Sequence, residues 1–216
     1  GETDVKAAYI EGLDSYAIKV ASGFFDNPKL GIPSSNGMMI LFDSQTGVIK
    51  SVLLDKGYLT DVRTAIAGSI AAKYLSNLES TKAGIIGAGL QARLQLEALK
   101  LVRPIDTAFV WSRNSTKLEK FIKEIEYLDL KIEICQTPEE LVTKSDIVVT
   151  TTPSKSPLVK SDWLKKGLHI TAMGSDAEEK NELDPNILKK CDYYIPDSQS
   201  QTAVLGELHH AIKNKI

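Results

Sequence analysis

The chain has 216 residues, 43% of them hydrophobic, with 26 basic and 28 acidic side chains and a net charge of −2. Such a length and apolar content build one or two cores, and the near balance of charge excludes the basic face that a broad nucleic-acid footprint needs. No stretch approaches the roughly 20 apolar residues of a membrane span, and the first residues do not resemble a signal peptide. A small-molecule partner and a cytoplasmic location are therefore expected. Cys135 and Cys191 have no metal-ligand spacing and read as buried strand residues in a reducing compartment, not as a disulfide.

Taken in chain order, the first half is strand-rich. Residues 5–10, 16–22, 37–42 and 48–54 carry strand patterns, separated by the turn formers Gly12, Asn27-Pro28, Gly31 to Gly37 and Thr46-Gly47. A helix over 60–75 follows, rich in alanine at Ala65, Ala67, Ala71 and Ala72. Beyond residue 78 the pattern alternates. Strands are expected at 83–87, 107–112, 131–135, 146–151, 168–173 and 191–195, interleaved with helices at 90–102, 115–127, 137–144, 161–166 and 184–190. Such alternation implies right-handed parallel crossovers. The expected fold is α/β: a doubly wound Rossmann-type parallel sheet over 78–216, with a second, strand-rich substrate and dimerisation domain over 1–77. The chain opens on a strand-like run and ends in a helical stretch from Glu207 to Lys215, so further segments are expected beyond both ends.

The segment Ala83-Gly84-Ile85-Ile86-Gly87-Ala88-Gly89-Leu90-Gln91-Ala92 joins an apolar strand to an amphipathic helix through a glycine-rich turn. Gly87 suits the tight turn, Gly89 lets a pyrophosphate approach the backbone, and Ala92 permits close packing of helix on strand. The helix N-terminus then presents N–H groups and a positive dipole to the anion. A Gly-x-Gly-x-x-Ala string also occurs in purely steric turns; here the branched strand before it and Leu90, Leu94, Leu96, Leu99 and Leu101 after it favour a dinucleotide site.

In such a fold the end of the second strand meets the adenosine ribose. Here it reads Val110-Trp111-Ser112-Arg113-Asn114. A carboxylate would favour NAD, whereas Ser112, Arg113 and Asn114 offer donors and a cation suited to a phosphate monoester, so NADP(H) is preferred over NAD(H). Arg113 could instead stack on the adenine or sit in solvent. Two later strand ends suit the nicotinamide side: Thr150-Thr151-Thr152-Pro153, and Thr171-Ala172-Met173-Gly174-Ser175-Asp176. Thr151, Thr152, Pro153, Met173 and Gly174 would line that side. Asp176 projects beyond the strand, either as a proton carrier for a substrate amine or as a helix N-cap or Asx turn before Glu178-Glu179.

The chain resembles the ornithine cyclodeaminase and mu-crystallin family. The resemblance runs through Lys19 in Tyr16-Ala17-Ile18-Lys19-Val20, the stretch Thr60-Asp61-Val62-Arg63-Thr64-Ala65, the glycine turn, Val110-Trp111-Ser112-Arg113 and Met173-Gly174-Ser175-Asp176. Lys180-Asn181-Glu182-Leu183 and Gly206-Glu207-Leu208-His209-His210-Ala211 look most like the ectoine-utilisation branch. The resemblance implies that Lys19 and Arg63 hold a substrate carboxylate, with Lys19 and Asp176 in the catalytic set and Asp176 as the acid/base. It implies NADP(H) or NAD(H) as cofactor, a small amino or imino acid as substrate, and a homodimer formed through residues 1–58. Net oxidation or reduction at the Cα–N bond, as in an imine reductase or amino-acid dehydrogenase, is the leading expectation. An ornithine-type cyclodeaminase with internally recycled cofactor is the alternative, and a non-catalytic binding protein of mu-crystallin type is a second. His209 and His210 are adjacent on a helix and lack acidic partners at ligand spacing, so no metal is expected.

Overall fold

The strand patterns of the first half form one antiparallel sheet. In the computed structural model, which describes residues 1–24 and 26–216, it contains β1 (Glu2–Ala8), β2 (Ser15–Gly23), β3 (Ser35–Asp43) and β4 (Ile49–Leu53), in that spatial order. The register places Lys19 opposite Lys6 on one side and Met39 on the other. The β3–β4 turn is built on Asp43, whose carboxylate accepts from the backbone N–H of Gln45 and Thr46 and from the Thr46 hydroxyl at 2.9–3.0 Å. Those bonds hold its pKa down at about 2.

Helix α1 (Tyr58–Leu75) follows, its start anchored by Asp55, whose Oδ2 accepts from Leu59 N–H at 2.6 Å. The chain divides into two compact units, Gly1–Arg63 and Thr64–Ile216. The division falls within α1, while the sequence pattern changes character just after that helix.

The second unit alternates β5 (Lys82–Ile86), α2 (Leu90–Lys100), β6 (Thr107–Trp111), α3 (Ser115–Glu124), β7 (Lys131–Ile134), α4 (Pro138–Lys144), β8 (Ile147–Thr150) and β9 (His169–Ala172). Short helices α5 (Ile187–Lys190), α6 (Gln199–Thr202) and α7 (Glu207–Lys213) complete it. All strand pairings are parallel, in the order β7-β6-β5-β8-β9. Because successive strand residues point to opposite faces, Ile85, Val110 and Val149 pack with Leu96, Leu99 and Phe121 of α2 and α3. Ile86, Phe109 and Val148 pack with Leu141 and Val142 of α4 on the other face. The sheet is covered on both sides and doubly wound, as expected. Among the described residues no helix is long and apolar enough to cross a membrane.

Three expected elements differ. Residues 191–195 form no strand; β9 pairs with β8 alone, and Tyr193 and Ile195 are exposed, so β-forming residues without a neighbour stay unpaired. The expected helix at 161–166 is a single 3₁₀ turn, Ser161–Trp163. The one at 184–190 shortens to α5 because Asp184 turns its carboxylate onto the N–H groups of Asn186 (2.9 Å) and Ser161 (3.1 Å), a local bond that competes with helix.

Two side chains bear on the stability of this unit, one raising it and one making it depend on pH. Arg103, 5% exposed, donates to the carbonyls of Ala72, Lys73, Ser76, Asn77 and Val102 and to the Ser76 hydroxyl at 2.7–2.9 Å, closing the C-terminal end of α1. His169, bonded through Nε2 to Thr171 Oγ1 at 2.9 Å, has its pKa lowered to about 4 by burial and by the Arg103 charge. An unfolded chain protonates this histidine near pH 6.5, before the native state does, so it costs stability as pH falls from 6.5 to 4 and nothing above that window. The loss amounts to about 3 kcal/mol. Denaturant titrations at a series of pH values are expected to show a flatter profile for His169→Gln than for the parent across that window. Identical profiles would remove His169 from the account.

Candidate functional site

The glycine turn lies at the carboxyl edge of the parallel sheet, where β5 gives way to α2. Gly87 has φ of 129°, a region that side chains rarely tolerate, and its N–H donates to Trp111 O at 2.9 Å. A Cβ on Gly87 would lie 2.4 Å from Thr151 Oγ1, so the turn is squeezed against the end of β8. At Gly89, the extended N-cap of α2, a Cβ would meet nothing within 4 Å. The N-terminus of this 11-residue helix therefore faces open space with no side chain capping it, while Ala92 is fully buried beneath. Small residues, uncapped N–H groups and room above them fit a nucleotide pyrophosphate. Ala88 packs on the core, Leu90 is exposed and Gln91 half-buried.

Beyond β6, Asn114 caps α3: its side-chain oxygen accepts from Lys117 N–H at 2.8 Å, and its own N–H donates to Ser112 Oγ at 3.4 Å. Arg113 stands exposed between them. Local bonds thus commit the Asn114 oxygen to the helix and leave Arg113 as the cation of this strand end.

The ends of β8 and β9 are organised by a side chain that motif reading did not assign. Glu182, fully buried, accepts from the hydroxyls of Thr150 and Thr152 at 2.7 Å each, from Thr152 N–H at 2.6 Å and from Gly174 N–H at 2.8 Å. Burial pushes its carboxyl up, against those four bonds. Thr151 donates to Ile86 O, Met173 N–H donates to Thr150 O at 3.0 Å and packs on the core, and Pro153 is exposed. Hydroxyl-rich strand ends were the available signal for a buried acceptor, but nothing in their spacing names Glu182.

Asp176 emerges just after this loop, its side chain 67% exposed and ion-paired with Lys180, whose side chain is 11% exposed. Residues 177–180 make a turn, with Lys180 N–H donating to Ala177 O, and among the described residues no helix starts at Asp176. The helix-cap alternative therefore does not hold. His209 and His210 stack edge to face on α7, and His210 bonds to Lys180 O at 2.9 Å. Among the described residues no group of three or more His, Cys, Asp or Glu side chains is placed to hold a metal ion.

In the first unit, Lys19 is 8% exposed on β2, and Arg63 is exposed on α1. Burial, then the charges of Arg63 and Lys6, lower the Lys19 pKa, opposed by Asp4. The Arg63 and Lys6 charges thus act against the charge of Lys19, and an anion bound beside Lys19 would relieve that repulsion.

These elements, in this order and on this fold, are matched along the whole chain by one family model, that of the ornithine cyclodeaminase/mu-crystallin family, over residues 1–216. The chain belongs to that family. Within it, the chain is 55% identical over 214 residues to an uncharacterized cyclodeaminase of Sinorhizobium fredii, a match covering 99% of this chain and 65% of the relative. The chain thus spans a little under two thirds of that relative's length. The Δ1-pyrroline-2-carboxylate reductase of Thermococcus litoralis, solved with NADH and L-proline, superposes with a TM-score of 0.85 at 30% identity, over 99% of this chain and 71% of that one. An archaeal alanine dehydrogenase, solved as a dimer with bound NAD, superposes with a TM-score of 0.86 at 32% identity, over 99% of this chain and 69% of that one.

Proposed function

We propose that the chain carries the core of a nicotinamide-nucleotide-dependent oxidoreductase acting on the Cα–N bond of a small amino or imino acid. The observation that carries this reading is the shared position of two features. The open glycine turn after β5 and Asp176 after β9 both lie at the carboxyl edge of one parallel sheet, where ligands of such sheets bind. When bound, the nicotinamide supplies or accepts the hydride at Cα. Gly87, Ala88, Gly89, Leu90 and Gln91 hold the pyrophosphate, Ser112, Arg113 and Asn114 meet the ribose, and Thr151, Thr152, Pro153, Met173 and Gly174 back the nicotinamide. Lys19 and Arg63 grip the substrate carboxylate, and Asp176 takes or returns the nitrogen proton.

The exposed Arg113 and the lack of a carboxylate at residues 112–114 support NADP(H), while the two structural relatives hold NADH and NAD. Assembly is proposed as a homodimer through residues 1–58, supported by exposed apolar side chains at Val5, Ile49 and Val52 and by the alanine dehydrogenase dimer. Assignment to the ectoine-utilisation branch rests on Lys180–Leu183 and Gly206–Ala211 alone. The cyclodeaminase named among the relatives gives a second reading, in which ammonia leaves without net redox change.

One screen separates these readings. The protein is mixed with imino acids, or keto acids plus ammonia, and NADPH or NADH, while the near-ultraviolet absorbance of the reduced cofactor is followed. Loss of that absorbance with an imino acid is expected. Ammonia release from ornithine in a parallel reaction supplied with oxidised NAD or NADP, with no net absorbance change, would replace the proposal with the cyclodeaminase reading, and cofactor binding without turnover of either kind would make this a binding protein.

A further inference from the structure

The loop that presents Asp176 is held from beneath by two buried carboxylates that no step above uses. Glu182 is 0% exposed and Glu207 6% exposed. Glu182 receives four donors, two from each oxygen's side: Thr150 Oγ1 and Gly174 N on Oε2, Thr152 N and Oγ1 on Oε1. Glu207 also receives four: Ser175 Oγ and Glu182 N (2.8 Å) on Oε1, and Asn181 Nδ2 (2.8 Å) and Leu183 N (3.1 Å) on Oε2. Between them they tie the end of β8, residues 174 and 175, and the segment 181–183 into one unit.

Gly174 leaves no slack in that unit. A Cβ there would stand 2.2 Å from Thr152 O and 2.7 Å from Glu182 Cδ. Residue 174 is wedged, residue 175 is tethered through its hydroxyl, and the next residue is Asp176, the exposed member of the three. Burying carboxylates is expensive compared with apolar packing, and a carboxyl group carries acceptor lone pairs on both of its oxygens, whereas a glutamine turns an NH₂ group toward two of the same donors. The arrangement therefore serves to fix N–H and O–H groups in place.

We propose that Glu182 and Glu207 are positioning residues: by locking residues 174 and 175 they aim the Asp176 carboxylate at the reacting nitrogen. This rests on the reading of Asp176 as the acid/base. Misplacing such a group by about 1 Å costs on the order of 10²-fold in rate, and for Glu207, whose donors include none of the residues that back the nicotinamide, the effect falls on turnover and not on ligand affinity.

The test uses the whole protein and the substrate found by the cofactor screen, comparing Glu182→Gln, Glu207→Gln and Thr150→Val with the parent. Each is read by kcat, by KM, and by NADPH or NADH affinity from fluorescence. The expected result is a fall in kcat of about tenfold or more for each glutamine variant, with KM and cofactor affinity unchanged for Glu207→Gln. Thr150→Val, which removes a single donor to Glu182, is expected to lower kcat less and serves if a glutamine variant does not fold. Parental kcat in a folded variant overturns the proposal, and so does a fall in kcat of Glu207→Gln accompanied by a rise in KM and a loss of cofactor affinity, which marks a merely structural role. Parental kcat in Asp176→Asn is a different result: it defeats the acid/base reading itself, and the proposal with it.

Discussion

Asp176→Asn is expected to lower kcat by about 10²-fold to 10⁴-fold, the range contributed by one positioned proton carrier. Affinity for the nicotinamide nucleotide should stay near that of the parent. Asparagine keeps the shape of the side chain and can still accept from Lys180, so the surrounding turn is retained. What it loses is the capacity to take up and return a proton. Cofactor affinity is expected to hold because the glycine turn and the start of α2 lie on β5, separated from β9 by β8. Steady-state kinetics together with fluorescence titration of NADPH or NADH check both halves. Turnover equal to that of the parent would remove Asp176 from the chemistry.

Arg63→Ala is expected to act on the other term, raising KM for the amino or imino acid by about 30-fold or more. Truncating one partner of a close charge pair costs about 2–5 kcal/mol, and each 1.4 kcal/mol is about tenfold in affinity. Lys19 adds a pH signature. Its pKa is lowered by burial and by the neighbouring Arg63 and Lys6 charges, so it loses its proton at a lower pH than an ordinary lysine. Carboxylate affinity should therefore weaken as pH rises toward that lowered value. In Arg63→Ala one of the depressing charges is gone, and the weakening should move to higher pH. A substrate KM indifferent to Arg63→Ala would count against the carboxylate grip.

The parallel sheet was legible because its strands are apolar runs bounded by glycine, proline and polar turns, and because the run into Gly87 combines a buried strand with a steric demand for glycine. The error at 191–195 has a physical origin: β-forming residues such as Tyr193, Tyr194 and Ile195 record what fits a pleated surface, not whether a hydrogen-bonding neighbour exists. The short helices were overextended where Asp184 bonds its own backbone neighbourhood. Asp176 stood out by its place beyond a strand end, whereas the roles expected of Lys19 and Arg63 came only from the family resemblance, since a lysine on a strand or an arginine on a helix carries no mark of its role. Glu182 and Glu207 were invisible as anchors because their donors come from residues 24–32 positions away or from a separate strand end, distances over which no sequence spacing speaks.

The guanidinium of Arg103 donates to four carbonyls and one hydroxyl at the end of α1, and to the carbonyl of its own neighbour Val102. Its positive charge is thus balanced by backbone dipoles in the interior. Such a joint has no surface counterion for salt to displace. The tail of α1 should therefore stay clamped in concentrated salt, a condition that loosens the exposed lysine pairs elsewhere on the molecule.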